Sequence, residues 1–225
     1  HPNIVKFMGC GNSHGRPYFI MEYIQGEDLK SILIREKKIR LSQAIYIVFH
    51  VAAALDYAYK LVSREGEHMK LIHRDIKPSN IILVPQNKML PKLIDFGLAK
   101  SMTACHSSFT QEGTVMGSLF YIPKEQILEA KNADHRSDIY SLGATFYHML
   151  AGYPPYFEFE RLGNVAIMNA IVQNKITPLS KYCPNVPVPI CDIVEKAMAP
   201  SPEDRYATAK HLQEDLHNFI ESLKK

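Results

Sequence analysis

The apolar pattern of this chain changes period once, and that change limits the folds open to it. Ahead of Gly26 the apolar residues fall in two short β-prone runs, Ile4–Met8 and Tyr18–Tyr23, separated by Gly9, Gly11, Asn12 and Gly15, which predicts a hairpin. After Gly26 the spacing becomes helical. A short helix is expected over Asp28–Ile34. Ser42 is placed to cap a longer one over Gln43–Leu61, where Ile45, Val48, Ala52, Leu55 and Tyr59 recur on one face. The apolar runs Ile81–Val84 and Lys92–Ile94 flank Pro85–Pro91 and predict a second hairpin. Helices are then expected over Asp138–Ala151, Asn164–Asn174, Pro189–Ala199 and Thr208–Leu223. A little sheet followed by many helices reads as an α+β domain. Lys100–Gly117, rich in Ser and Thr and without periodicity, reads as a long exposed loop of the kind that often carries function. The sequence has no internal repeat and no low-complexity tract.

Composition narrows the partners. With 46% hydrophobic and 22% charged residues, 225 residues can bury a full core. Lys+Arg number 26 against 23 Asp+Glu, and a formal charge of +3 is too small to make nucleic acid or membrane the main partner. A small or protein substrate fits better. Cys10, Cys105, Cys183 and Cys191 are scattered without a CxxC pair, which argues against a disulfide framework or a zinc site and for reduced thiols. The longest apolar stretch, Ala44–Leu55, is broken by His50 and falls well short of the roughly 20 residues of a membrane-spanning helix, so no span is expected. The chain starts at His1 without a basic start or a signal-like apolar core, and is expected to be part of a longer protein.

The chemistry concentrates in the run His73-Arg74-Asp75-Ile76-Lys77-Pro78-Ser79-Asn80 and, after the second hairpin, Asp95-Phe96-Gly97. Taken singly, an Asp and an Asn in one loop more often cap turns than hold metal. The ordered set overturns that reading. It matches H-R-D-x-x-x-x-N followed by D-F-G and resembles the catalytic loop and metal-binding motif of protein kinases. The resemblance, to the eukaryotic-like Ser/Thr kinases and in its loop style to bacterial members, spans essentially the whole chain. It implies a protein-kinase-like fold, mainly the helical large lobe (25–225) preceded by the last two small-lobe strands and the hinge (1–24). It further implies that Asp75 accepts the substrate hydroxyl's proton, Lys77 places positive charge on the transferred phosphoryl group, and Asn80 and Asp95 bind Mg2+ against the phosphates of ATP. His73 is then a packing residue against Phe96, and Arg74 faces an activation-loop phosphate.

Other positions follow from the same resemblance. Tyr18–Tyr23 resembles the strand leading into the hinge, so Met21 guards the back of the adenine pocket, the backbones of Glu22 and Ile24 hold adenine, and Ile82 forms its floor. Gly117–Glu125 resembles the substrate-docking stretch ending in A-P-E, with Pro123-Lys124 in place of A-P. Glu125 is expected to form a buried ion pair with Arg205, and Asp138 to hold the catalytic-loop backbone. Lys77 with Ser118 matches the Ser/Thr branch, whose acceptors are Ser and Thr hydroxyls of proteins. Ser101, Thr103, Ser107, Ser108, Thr110 and Thr114 are candidate phosphate sites facing Arg74. Upstream of the hinge there is no G-x-G-x-x-G and no V-A-I-K-like lysine. The alternative is therefore a non-catalytic docking module of pseudokinase type. Cytoplasmic exposure is expected, with membrane anchoring of a longer parent left open.

Overall fold

The structure is a computed structural model, and it describes residues 1–63, 65–85, 89–96, 117–129, 131 and 133–224. β1 (Phe7–Ser13) and β2 (Arg16–Met21) form an antiparallel hairpin with Ser13 opposite Arg16. The two residues between them, His14 and Gly15, have φ of 52° and 78°, the paired positive values of a two-residue hairpin turn. The first strand therefore starts later than the apolar run Ile4–Met8. Gly9 and Gly11 lie inside it, opposite Ile20 and Tyr18, instead of in the turn. Ile4 forms an isolated parallel bridge to Leu93, while Val5 N donates to Leu93 O and Leu93 N to Asn3 O, each at 2.9 Å. Buried Asn3 adds a side-chain bond to Pro91 O at 2.8 Å, so the first residues are stitched to the second hairpin.

That hairpin is β4 (Ile81–Val84) with β5 (Leu90–Leu93), and the short β3 (Glu27–Asp28) extends it in the order β3-β4-β5. The approach of Gly26 to β4 is close. A Cβ there would lie 2.6 Å from Leu83 O and 2.7 Å from Ile82 Cγ2, and the backbone oxygen cannot swing away. Gly26→Ala is expected to cost about 1–3 kcal/mol through overpacking, read as a lowered urea midpoint at constant m-value.

The helices are α1 (Leu29–Glu36), α2 (Leu41–Tyr59), α3 (Lys124–Leu128), α4 (His135–Ala151), α5 (Asn164–Val172), α6 (Leu179–Tyr182), α7 (Val188–Ala197) and α8 (Ala209–Ser222). Asp28 caps α1 through Oδ1, which accepts from Ser31 N at 3.0 Å. Ser42 does not cap α2. The amides of Gln43 and Ala44 both donate to Arg40 O at 2.9 Å, which closes the first turn around Arg40 and leaves Ser42 inside it.

At 19 residues, α2 is also long and apolar enough to span a membrane by length and composition, which the shorter apolar run Ala44–Leu55 understates. Its position gives that length another meaning. Ala44, Ile47, Val48, Val51, Ala52 and Ala54 are completely buried, and the helix packs against α4 and α8 at the centre of the core. Asp134 caps α4, accepting from Arg136 N at 2.8 Å, and Gly152 (φ 83°) ends it in the left-handed region. Cys10, Cys183 and Cys191 are free thiols, and Cys105 lies outside the described residues.

Candidate active site

The loop between α2 and β4 carries the site, and its backbone is held from beneath by α4. Asp138, in the first turn of that helix, accepts from the amides of His73 and Arg74, both at 2.7 Å. The carboxyl is buried, and burial pushes it up to about 7 against the two amide bonds that favour its charged form. Arg74 takes a φ of 64°, a left-handed conformation unusual for a long side chain and kept where surrounding bonds over-determine it. Gln126 of α3 supplies a further tie, donating from Nε2 to Arg74 O at 2.9 Å. Asp138→Ala is expected to strand two buried amides at about 1–3 kcal/mol each. A lower urea midpoint together with a lower kcat would show that the same bonds stabilise the fold and place the loop.

His73 links this loop to the strand that follows. Its Nε2 lies 2.8 Å from Ile94 O, and a carbonyl only accepts, so Nε2 carries the proton and Nδ1 receives the Asp75 amide at 3.3 Å. Its ring packs on Phe96 at 4.8 Å between centroids. The packing role expected of His73 is thus the one it occupies.

Asp75 projects from this frame. Its Oδ2 accepts from Lys77 Nζ at 2.9 Å and from Asn80 Nδ2 at 3.1 Å. Asn80 Nδ2 also donates to Asp75 O at 2.8 Å, which spends both amide hydrogens on one residue and leaves Oδ1 as the ligand atom. Lys77 Nζ reaches Ser118 Oγ as well, at 3.0 Å, joining the catalytic loop to the stretch before α3. The Asn80 backbone accepts from Ile94 N at 3.0 Å, just ahead of Asp95, which sits at φ 58°.

Asp75, Asp95, Phe96 and Met21 line one mostly apolar cavity of about 740 Å³, a size suited to a nucleotide. Glu22, Ile24 and Ile82 are not among the residues lining it. The Glu22 carboxylate receives Lys92 Nζ at 2.5 Å and Lys6 N at 2.9 Å, the lysine first among the contacts that lower its pKa. Its own amide donates to Lys6 O at 3.0 Å, so only its carbonyl remains to meet a ligand. Ile82 is half-buried in β4, opposite Asp28 and Lys92.

The oxygen donors suit Mg2+, a hard cation that takes one or two carboxylate or carbonyl ligands and completes its shell with water and phosphate. Asn80 Oδ1 and the Asp95 carboxylate fit that demand. Among the described residues, no group of three or more His, Cys, Asp or Glu is placed to hold a metal by itself.

A second structural anchor lies below. Arg205, with a fully buried side chain, uses all five of its donors: Nη1 and Nη2 on the Glu125 oxygens at 2.6 and 3.0 Å, and the rest on the carbonyls of Ala199, Pro200 and Arg136. The substitution of Pro123-Lys124 for A-P leaves this pair intact, because Pro123 precedes α3 while Glu125 lies in its first turn. Gln126 has no sequence signature that would have marked it. Gly97 and the candidate phosphate sites Ser101, Thr103, Ser107, Ser108, Thr110 and Thr114 lie outside the described residues.

Residues 1–217 match the family described as Protein kinase domain. Among curated proteins, the chain is 34% identical over 98% of its length to "Tyrosine-protein kinase MasK" of Myxococcus xanthus. It is 35% identical over 97% to "Probable serine/threonine-protein kinase CPE1738" of Clostridium perfringens. With "Serine/threonine-protein kinase PknB" of Mycolicibacterium smegmatis the identity is 33% over 96%. The chain spans 33%, 30% and 33% of those three proteins, about a third of their length. Among solved structures it is similar to the kinase domain of Mycobacterium tuberculosis PknI, with a TM-score of 0.67, 26% identity, and coverage of 97% of this chain and 72% of that one. By the match across nearly its whole length and by the loop geometry that accompanies it, the chain belongs to the eukaryotic-like protein kinase family.

Proposed function

We propose that this domain transfers the γ-phosphate of ATP to Ser and Thr hydroxyls of proteins. The observation that carries the reading is the Asp75 carboxylate, fixed by Lys77 and Asn80 at the edge of a cavity that Asp95 also lines. When bound, ATP with Mg2+ supplies the phosphoryl group and neutralises its charge. Asp75 orients the acceptor hydroxyl and takes its proton as the oxygen bonds to phosphorus and the bond to the ADP oxygen breaks. Lys77, already between Asp75 and Ser118, brings positive charge to the group in transit. Asn80 Oδ1 and Asp95 hold the metal. Met21 lines the adenine cavity, while the backbones of Glu22 and Ile24 and the side chain of Ile82, outside its lining here, are assigned to adenine by the family resemblance alone, with residues 1–24 as small-lobe strands and hinge and 25–225 as the large lobe. Arg74 pairs with an activation-loop phosphate. The domain faces the cytoplasm.

The Lys77–Ser118 bond joins the two residues that match the Ser/Thr branch of the family, and this supports Ser and Thr over Tyr acceptors. Offering matched Ser, Thr and Tyr peptides to the natural protein tests this. Label on Ser and Thr with none on Tyr is expected, and label confined to Tyr would overturn it.

A further inference from the structure

A second groove, of about 640 Å³, opens on the other side of the catalytic loop and is lined by Lys77 and Ser118. Because Lys77 also binds Asp75, an acceptor residue reaching the base from this side lies in that groove. One wall is α1 and its C-terminal cap: Lys30, Leu33 and Ile34 follow the i, i+3, i+4 spacing of one helical stripe, and Lys37 caps the helix at φ 64°. The lining also includes Tyr153 and Phe157, stacked at 4.8 Å and 47% and 37% exposed.

The charges on this groove are uneven. Arg35, elsewhere on α1, is paired with both Glu27 and Glu36 at 2.5 and 3.0 Å. Among the described residues, Lys30 and Lys37 make no ion pair and Glu160 is the one acid that lines the groove. His148, also in the lining, adds no positive charge at neutral pH, since burial lowers its pKa to about 4 and its Nδ1 lies 2.7 Å from Tyr121 Oη. Among the described residues, two ammonium groups without an ion pair thus lie beside an exposed apolar surface made by Ile34, Tyr153 and Phe157.

We infer that this groove selects Ser/Thr acceptor segments that carry Asp or Glu within a few residues of the acceptor, with a large apolar residue against Ile34, Tyr153 and Phe157. The inference rests on the kinase reading above and specifies its substrate class. The carboxylates meet Lys30 and Lys37, and the apolar residue covers surface otherwise left to water.

The test uses three peptide sets with a common Ser or Thr acceptor, flanked by Asp/Glu, by Ala or by Lys, offered to the natural protein at low ionic strength. Acidic flanks are expected to raise kcat/KM about 3- to 10-fold over Ala, mainly through KM, the range of two exposed ion pairs. The double change Lys30→Glu with Lys37→Glu is expected to invert the order in favour of Lys flanks, with an unchanged circular dichroism spectrum. Equal kcat/KM for all three sets, or an acid preference that survives the charge reversal, overturns the inference while leaving the kinase reading standing. Failure to phosphorylate any peptide overturns both.

Discussion

Asp75→Asn is expected to lower kcat about 100- to 10,000-fold in the natural protein while leaving its affinity for ATP nearly unchanged. The amide keeps the shape of the carboxylate but cannot take the acceptor's proton, and it presents the wrong charge to Lys77 Nζ, which sits 2.9 Å from Oδ2. The loop around it should survive. Its backbone is held by Asp138 under His73 and Arg74, by Gln126 on Arg74 O, and by the Asp75 amide on His73 Nδ1, none of which involves the altered side chain. Steady-state phosphorylation gives kcat, and titration with ATP gives affinity. A large fall in affinity with kcat preserved would place Asp75 in nucleotide binding instead of proton transfer.

Arg205→Lys is expected to destabilise the domain by about 3–5 kcal/mol, nearly as much as removing the residue. Arg205 satisfies five acceptors from a planar fork, two on Glu125 and one each on three carbonyls, with its charge 4.9 Å over the Tyr140 ring. An ammonium offers three donors in another geometry, so buried acceptors are left unpaired. For a domain of this size each kcal/mol moves Tm by about 2–4 °C, giving a fall of about 6–20 °C by calorimetry.

Acidification should weaken the same anchor from the Glu125 side. Burial works to raise the Glu125 carboxyl, but the hydrogen bonds and charge of Arg205 outweigh it and hold the pKa below its ordinary 4.5. The pair's contribution is therefore fully present above that value and lost as pH falls through the lowered one. Stability measured from pH 6 downward should fall more steeply for the wild type than for Glu125→Gln.

The chemistry was legible in the sequence where it is local. His73–Asn80 and Asp95 stand in a fixed order along the chain, and the backbone between them can place them in few ways. The Glu125–Arg205 pair was legible for a different reason, since a conventional sequence context marks each end even with Pro123-Lys124 in the way. Other features depend on a single backbone angle or on a neighbour distant in sequence. Whether Arg40 or Ser42 caps α2 turns on which residue stays extended. The start of β1 turns on His14 accepting positive φ beside Gly15. Gln126 looks like any helical glutamine until folding brings its amide to Arg74 O. The length of α2 was legible, 19 residues in both readings, but the helix runs Leu41–Tyr59 and so lies two residues ahead of the expected Gln43–Leu61. Lys30 of α1 and Lys37 at its cap acquire meaning only once folding brings them to one groove with Tyr153 and Phe157.

The most direct measurement is to incubate the natural protein with Mg2+ and γ-labelled ATP, then follow the label by mass spectrometry on an added protein substrate while ADP is quantified. The account predicts label on Ser and Thr side chains in amounts equal to the ADP formed, and neither with Asp75→Asn. ADP released without label on protein, or equal labelling by wild type and variant, would contradict it.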